Sequence, residues 1–249
     1  MDYSLFSARV SSLVALVILF SLSGCYIDLD DDDDNCVSGR GSFETDTYDF
    51  SEFSRISNAL NADIRITTGR SNHSVSVTAE NNILDEIRVR TRGGELILES
   101  DRCIQSSDIQ IDISVFELTD LFSAGNADIQ VTNIWETDDL TINLSGSGTI
   151  AAILEVLNTD ISISGSGLID LTGTSTNAEV SIAGSGDYEA FGLKTRNVEV
   201  TISGAGNAEI FVEGDLTGAI SGSGLINYKG SPESVNVNIT GSGRVINRD

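Results

Sequence analysis

The chain has 249 residues, with 38 acidic and 14 basic side chains, 24 glycines, one proline and one histidine. A net charge of −24 argues against nucleic-acid binding, which depends on lysine and arginine contacts to phosphate. The single histidine, His73, excludes a site built from several histidines. The length suffices for a buried core, and a hydrophobic content of 40% excludes a wholly disordered chain.

Residues 1–24 are predicted to be a signal peptide. An apolar run at 10–22 follows Arg9 and is too short for a comfortable membrane span. It ends in Leu22-Ser23-Gly24-Cys25, which resembles the lipobox of bacterial lipoproteins. The resemblance implies that Cys25 is acylated and anchors the mature chain in a membrane. The alternative is an ordinary secretory signal with a coincidental cysteine.

Residues 25–40 are predicted to form an acidic, disordered tether. Six aspartates occupy positions 28–34, and their mutual repulsion opposes folding. These six charges leave −18 for the rest of the chain. Tyr26 follows Cys25, and its resemblance to enterobacterial sorting rules implies an outer-membrane location. The acidic tract also resembles signals that send some lipoproteins to the cell surface, so both the periplasmic and the outer face stay open.

Two further cysteines, Cys36 and Cys103, follow the lipidation site. An oxidising envelope compartment permits a disulfide between them, which would fix the end of the tether to the folded body. Two separate thiols are the alternative, because a sequence does not show whether two Cα atoms lie within bonding distance.

The second half of the chain repeats a strand, a glycine pair and a second strand. Apolar residues alternate with small or polar ones on both sides of each pair, as in Ile161-Ser-Ile-Ser-Gly-Ser-Gly167. This period of two predicts strands with one buried face. The second glycines recur every 18 to 23 residues, which leaves no room for a crossover helix. The repeat therefore predicts a parallel β-helix with coils of about 19 residues and two short strands per coil.

The glycine pairs are predicted to mark one corner of every coil. Glycine accepts a positive φ there without a Cβ clash. A phosphate-binding loop is the competing interpretation, but such a loop opens a helix and here a strand follows. The corner glycines are Gly146, Gly148, Gly165, Gly167, Gly184, Gly186, Gly204, Gly206, Gly222, Gly224, Gly241 and Gly243.

Residues 41–115 are predicted to be strand-rich but less regular, with one or two hairpin insertions. Residues 61–67 echo residues 126–132, and Gly93-Gly94 is typical of a hairpin turn. No cap is evident at the C-terminal end, where Arg244 and Arg248 would discourage edge-to-edge growth. Four aromatic residues are predicted to cover the N-terminal end: Phe43, Tyr48, Phe50 and Phe53.

The lipobox, the strand-rich N-terminal half and the repeated Ser-Gly-Ser-Gly coils together resemble the putative auto-transporter adhesin family with a head GIN domain. The resemblance covers roughly residues 41–249. It implies an all-β, right-handed parallel β-helix on a bacterial envelope protein, irregular over 41–115 and regular over 116–249. It also implies a non-catalytic role as an adhesin or structural protein with a glycan or protein ligand.

The coil frame places acidic side chains in two columns. Asp170, Glu189 and Glu209 form one, and the other contains Asp160, Glu179 and Glu199. A solvated acidic face is one interpretation. The other is a bound Ca²⁺, which prefers several carboxylate oxygens. No other cofactor is predicted.

A carbohydrate-active lyase or glycosidase is the alternative function, since it needs carboxylates at catalytic separation in a groove. Asp138, Asp139, Asp108 and Asp112 supply acids, but no catalytic residue is predicted because no base or histidine accompanies them. Trp135 is predicted to cover the core, and His73 to lie in a turn.

Overall fold

The computed structural model describes residues 36–105 and 108–249 of the chain. The predicted signal peptide, Cys25 and the aspartate tract lie outside the described residues. Residues 36–40, which the sequence predicted as tether, are part of the folded body and contain a short strand, Val37–Ser38.

The described residues contain nineteen strands and one four-residue helix. In the N-terminal region they are β1 (Val37–Ser38), β2 (Phe43–Phe50), β3 (Arg55–Asn58), β4 (Asp63–Thr67), β5 (His73–Glu80), α1 (Asn81–Leu84), β6 (Ile87–Arg92), β7 (Glu95–Ser100), β8 (Ile104–Gln105) and β9 (Gln110–Ser114). In the regular coils they are β10 (Asp120–Gly125), β11 (Asp128–Gly146), β12 (Thr149–Gly165), β13 (Leu168–Gly184), β14 (Asp187–Gly204), β15 (Asn207–Val212), β16 (Asp215–Gly222), β17 (Leu225–Lys229), β18 (Ser234–Gly241) and β19 (Arg244–Asn247).

The predicted parallel β-helix is confirmed. Strands β10 to β19 pair in parallel, each with its counterpart in the next coil. The prediction of two short strands per coil is wrong for β11 to β14. Each of these strands runs for 17 to 19 residues around most of a coil. The ladder continues through the bends, with register shifts only at a few points such as Gln130 to Ile134.

The core is a stack of aliphatic columns, as the apolar alternation predicts. Ile142 pairs with Ile161, which pairs with Val180, and all three are buried. Trp135 is also fully buried, and its Nε1 donates a hydrogen bond to the Leu118 carbonyl at 2.7 Å. The prediction that Trp135 covers the core is therefore confirmed.

The two glycines of each corner have different roles. The first glycine takes a positive φ in every copy, for example +127° at Gly184. A Cβ added there would also lie 2.5 Å from the carbonyl oxygen of Gly165, in the previous coil. The second glycine has no positive φ, but a Cβ on Gly186 would lie 2.4 Å from the Ile163 side chain. The first glycine is thus required by conformation and close approach, and the second by space alone.

The N-terminal region mixes parallel and antiparallel pairing. The echo between residues 61–67 and 126–132 reflects direct stacking, since β4 pairs in parallel with β11. The Asn126 amide donates to Asn61 Oδ1 at 2.9 Å, immediately before the paired segment. The predicted hairpin at Gly93-Gly94 joins the antiparallel strands β6 and β7. Strand β5 pairs antiparallel with both β2 and β9.

The N-terminal end of the stack is covered by this antiparallel layer and by helix α1. Phe53 is buried as predicted, and Tyr48 and Phe50 pack partly against the core. Phe43 is exposed, so the prediction is wrong for this residue. Helix α1 buries Ile83, and no sequence pattern predicted it. His73 begins strand β5 instead of lying in a turn, because this segment pairs with β2.

Cys36 and Cys103 form a disulfide, with Cα atoms 4.4 Å apart. Directly after the two cysteines, β1 pairs in parallel with β8, and the Val37 amide donates to the Cys103 carbonyl at 2.7 Å. Asn82 of helix α1 secures the same segment, because its Nδ2 donates to the Ser38 carbonyl at 2.9 Å. The start of the described chain is thus attached to the antiparallel layer and helix α1, which we call the N-terminal cap.

A candidate binding groove on the acidic face of the coils

Two adjoining hollows, of about 440 and 700 Å³, follow one face of the coils and share Asp139 and Thr141. We call them together the acidic groove. No lysine or arginine is among its lining residues. Its carboxylates are Glu117, Asp120, Glu136, Asp138, Asp139, Glu155, Asp160, Glu179, Glu199 and Asp215.

One of the predicted acidic columns lines this groove. Asp160 pairs with Glu179, and Glu179 pairs with Glu199, on three consecutive coils. Neighbouring coils are separated by the spacing of paired strands, about 4.8 Å. Because the three residues alternate with buried ones along their strands, the fold turns all three side chains outward. The groove therefore concentrates negative charge at positions that the backbone fixes.

An amide ladder runs beside this column. Asn158 Nδ2 donates to Asp139 Oδ1 at 2.7 Å, Asn177 Nδ2 to Asn158 Oδ1 at 2.9 Å, and Asn197 Nδ2 to Asn177 Oδ1 at 3.0 Å. The backbone amide of Asp215 then donates to Asn197 Oδ1 at 3.3 Å. The ladder was not predicted from the sequence, although Asp139, Asn158, Asn177 and Asn197 recur every 19 or 20 positions. The ladder links the side chains of successive coils along one wall of the groove.

The second predicted column lies outside the acidic groove. Asp170 pairs with Glu189, and Glu189 with Glu209. Burial raises the pKa of Glu189, and the carboxylates of Glu209 and Asp170 raise it further. The like charges of this column therefore disfavour the ionised form of Glu189.

The calcium hypothesis gains no geometric support. Within residues 36–105 and 108–249, no group of three or more His, Cys, Asp or Glu side chains is arranged to hold a metal ion. Both columns exist, but their side chains are spread along the coils, one per coil, instead of surrounding a point.

The other acids considered for catalysis are not brought together. Asp138 and Asp139 lie at the acidic groove. Asp112 instead faces Arg65, at 3.9 Å, on the exposed surface of β4 and β9. Asp108 lies in the segment before β9.

Within the described part of the chain, no helix is both long and apolar enough to cross a bilayer. The helix that this part contains, α1, has four residues.

The chain resembles several solved bacterial structures. A putative adhesin from Bacteroides fragilis aligns with a TM-score of 0.81 and 25% identity, covering 85% of this chain and 100% of that one. A putative lipid binding protein from Parabacteroides distasonis aligns with a TM-score of 0.74 and 25% identity, covering 86% and 99%. A putative adhesin from Parabacteroides merdae aligns with a TM-score of 0.70 and 23% identity, covering 86% and 99%. No curated protein matches the chain.

The family model described as putative auto-transporter adhesin, head GIN domain, matches residues 52–232. This match spans most of the chain, including the early irregular coils and five of the six exact glycine corners. The chain therefore belongs to the family of the putative auto-transporter adhesin head GIN domain.

Proposed function

We propose that this chain is a lipid-anchored protein of the bacterial envelope whose β-helix binds a glycan or protein ligand without catalysis, in an adhesive role. The family and the neighbours named as adhesins support a binding role. The observation that carries the proposal is the acidic groove, in which charge of one sign lines a surface with rigid walls. The proposal requires no cofactor.

Anchoring would depend on Cys25, since acyl chains at this residue would supply stable membrane attachment. The test is metabolic labelling of cells with palmitate, comparing the full chain with its Cys25→Ser variant. Label in the first and none in the second supports the anchor. Equal label in both, or label in neither, would contradict it. Protease treatment of intact cells then distinguishes a surface location, in which the chain is cleaved, from a periplasmic one.

The acidic groove is proposed as the ligand site for two physical reasons. Its carboxylates accept hydrogen bonds from sugar hydroxyls and attract basic side chains. Its walls are also largely pre-ordered, because most wall residues belong to a paired strand or to the amide ladder. A pre-ordered site loses little conformational entropy on binding.

The binding test uses residues 35–249, which form one compact unit. Arrays of glycans and of basic peptides identify a ligand, and its affinity is then compared in two matched double variants. Glu179→Gln/Glu199→Gln neutralises two charges in the groove. Asp170→Asn/Glu209→Gln neutralises two charges on strands β13 and β15, outside the groove. We expect at least about tenfold weaker binding for the first pair and less than about twofold for the second.

Equal losses in both double variants would mean that overall charge, and not the groove, governs binding. Unchanged binding in the first would remove the groove from the proposal. Release of shortened products from a bound polysaccharide would replace the adhesive role with the carbohydrate-active alternative.

A further inference from the structure

Four exposed apolar side chains cluster beside the acidic groove. Their exposed fractions are 63% at Phe116, 46% at Ile134, 50% at Ile153 and 51% at Leu157. Among the described residues, they are four of the seven large apolar side chains that are exposed. We call these four residues the apolar shelf.

The apolar shelf is continuous with the acidic groove. Phe116 and Ile134 line a hollow of about 420 Å³. This hollow shares Glu117 and Glu136 with the groove. Ile134 pairs with Ile153 on the next coil, which extends the apolar surface beyond the hollow.

The fold does not require apolar residues at the shelf. The column that contains Ile134 and Ile153 continues with Thr172 and then Gly192. The later coils therefore form the same parallel ladder with a polar side chain, or with none, at this position. Because exposed apolar patches mark interaction surfaces, the two isoleucines indicate a binding role.

We propose that the apolar shelf and the adjoining part of the acidic groove bind an extended protein segment. In this segment a basic side chain lies between two apolar ones at alternate positions. The inference rests on the proposed binding role, and it narrows the ligand from a glycan or protein to a protein of this chemistry.

Strand β12 supplies the complementary pattern. Ile153, Glu155 and Leu157 alternate with the buried Leu154 and Val156, so all three point outward. Neighbouring outward side chains lie about 6.6 Å apart along a strand. An extended ligand repeats its side chains at the same interval. Its apolar, basic and apolar residues therefore meet the isoleucine, the glutamate and the leucine in turn.

Charge complementarity specifies the basic residue. Glu155 pairs with Glu136, and both line the groove. Glu117 lines the same part of the groove. Among the described residues, none of these three carboxylates forms an ion pair. A lysine or arginine of the ligand is attracted to them, and apolar contacts on both sides exclude water and strengthen the attraction.

Other occupants fit this surface less well. Three of the four shelf residues are aliphatic, so they offer no aromatic ring on which a sugar could stack. An anionic bilayer attracts clusters of lysine and arginine, whereas the carboxylates beside the shelf oppose its approach. A second copy of the chain is repelled, because the folded body carries a charge of −18.

The apolar shelf is ordered before binding. The Gly69 amide donates to the Phe116 carbonyl at 2.9 Å. Asn133 Nδ2 donates to Thr68 Oγ1 at 3.1 Å, and both of these residues line the hollow. The other three shelf residues belong to the paired strands β11 and β12. Little conformational entropy is therefore lost when the ligand binds.

The test is calorimetric titration of residues 35–249 with a synthetic peptide that repeats Leu-Ser-Arg-Ser. Ile134→Thr/Ile153→Thr should weaken binding at least about tenfold, because it removes two apolar contacts. Threonine occupies this position in the next coil, so the variant should keep its melting temperature. The matched control, Val235→Thr/Ile239→Thr, alters two exposed apolar residues of β18 and should change the dissociation constant less than about twofold.

The chemistry of the ligand is tested by changing the peptide. Glutamate in place of arginine should abolish detectable binding. A peptide of the same composition with adjacent leucines should bind at least about tenfold more weakly, because its side chains no longer match the interval of β12. Glu155→Gln should reduce the preference for arginine over glutamine in the peptide at least about fivefold.

Absence of peptide binding at millimolar concentration, equal losses in the two double variants, or equal affinity for the reordered peptide would each overturn the proposal. So would self-association, or binding of a glycan or a lipid vesicle in place of the peptide, that Ile134→Thr/Ile153→Thr abolishes. A glycan that depends on Glu179 and Glu199 but is unaffected by the shelf variant would overturn this inference and leave the proposed function intact. The two failures are therefore distinguishable.

Discussion

The N-terminal region and the regular coils are stabilised in different ways. Residues 36–115 contain 13 acids and 8 bases, for a net charge of −5, and they include four Arg–carboxylate ion pairs and the disulfide. Residues 116–249 contain 18 acids and 5 bases, for a net charge of −13, and no ion pair joins described residues there. The coils tolerate this repulsion because each residue contacts its own counterpart in the next coil, with glycine where the backbones are too close for a Cβ. The regular coils are therefore stabilised by the stacking of equivalent residues, whereas the N-terminal region also has ion pairs and a disulfide.

The largest expected effect breaks this repetition. Gly184→Ala forces an L residue into φ +127° and places its Cβ 2.5 Å from a backbone oxygen that cannot move away. Strain and overpacking together should lower the free energy of unfolding by about 4 kcal/mol. Chemical denaturation measures the change.

The control for this substitution lies in the N-terminal region. Gly69 also has a positive φ, +71°, but no atom lies within 4 Å of an added Cβ. Gly69→Ala should therefore cost about 1 kcal/mol, from conformation alone. Equal losses at the two sites would show that φ, and not the approach of neighbouring coils, makes the corner glycines necessary.

The next effect concerns the disulfide. Reduction of Cys36–Cys103, which are 67 residues apart, should lower stability by about 3 kcal/mol. The loss should be local, so amide exchange should speed up in β1, β8 and helix α1 while β12 and β13 keep their protection. Faster exchange throughout the coils would show that the disulfide stabilises the whole stack and not the N-terminal region alone.

The same contrast explains what the sequence could predict. The coils were predictable because a glycine recurs at the Gly165 position in every copy, and an apolar residue at the Ile161 position in most copies. A period of about 19 residues therefore indicated the fold, the core and the corners together. The long continuous strands β11 to β14 were not predictable. A bend that keeps its ladder hydrogen bonds does not change the alternation of apolar and polar side chains, so the sequence does not distinguish it from a break between two strands. Helix α1 was missed because four residues are too few for a helical period.

The candidate site was predictable only in part. Glu179 and Glu199 could be placed in one column from the repeat, but the groove beside them depends on how far each coil bends. The amide ladder could not be predicted, because asparagine is common in turns. The recurrence of Asn158, Asn177 and Asn197 has a structural meaning only when the coils are stacked.

A smaller effect is expected in that ladder. Asn177→Ala removes a donor to Asn158 and an acceptor for Asn197 on an exposed wall, so unfolding should become easier by about 1 kcal/mol. Asn143→Ala is the control, because it truncates an asparagine outside the ladder and should change stability by less than about 0.5 kcal/mol. If Asn177→Ala were as mild as Asn143→Ala, the order of this wall would come from backbone pairing alone.

The smallest effect, and the one with a sign opposite to the others, is expected at Tyr188. This residue fills a core column between Ile169 and the small Ala208, and its hydroxyl is buried without a hydrogen-bond partner among the described residues. Tyr188→Phe should therefore leave stability unchanged or raise it by up to about 1 kcal/mol at neutral pH.

Burial also raises the pKa of the Tyr188 phenol above its ordinary value of 10. Above pH 10 the unfolded chain loses this proton while the folded chain keeps it, so the wild type should lose stability as the pH rises further. Melting curves at pH 8 and pH 11 should show a smaller alkaline decrease for Tyr188→Phe than for the wild type. Identical decreases would show that other groups control alkaline unfolding, and a loss of stability at neutral pH would show that the hydroxyl has a partner in solution.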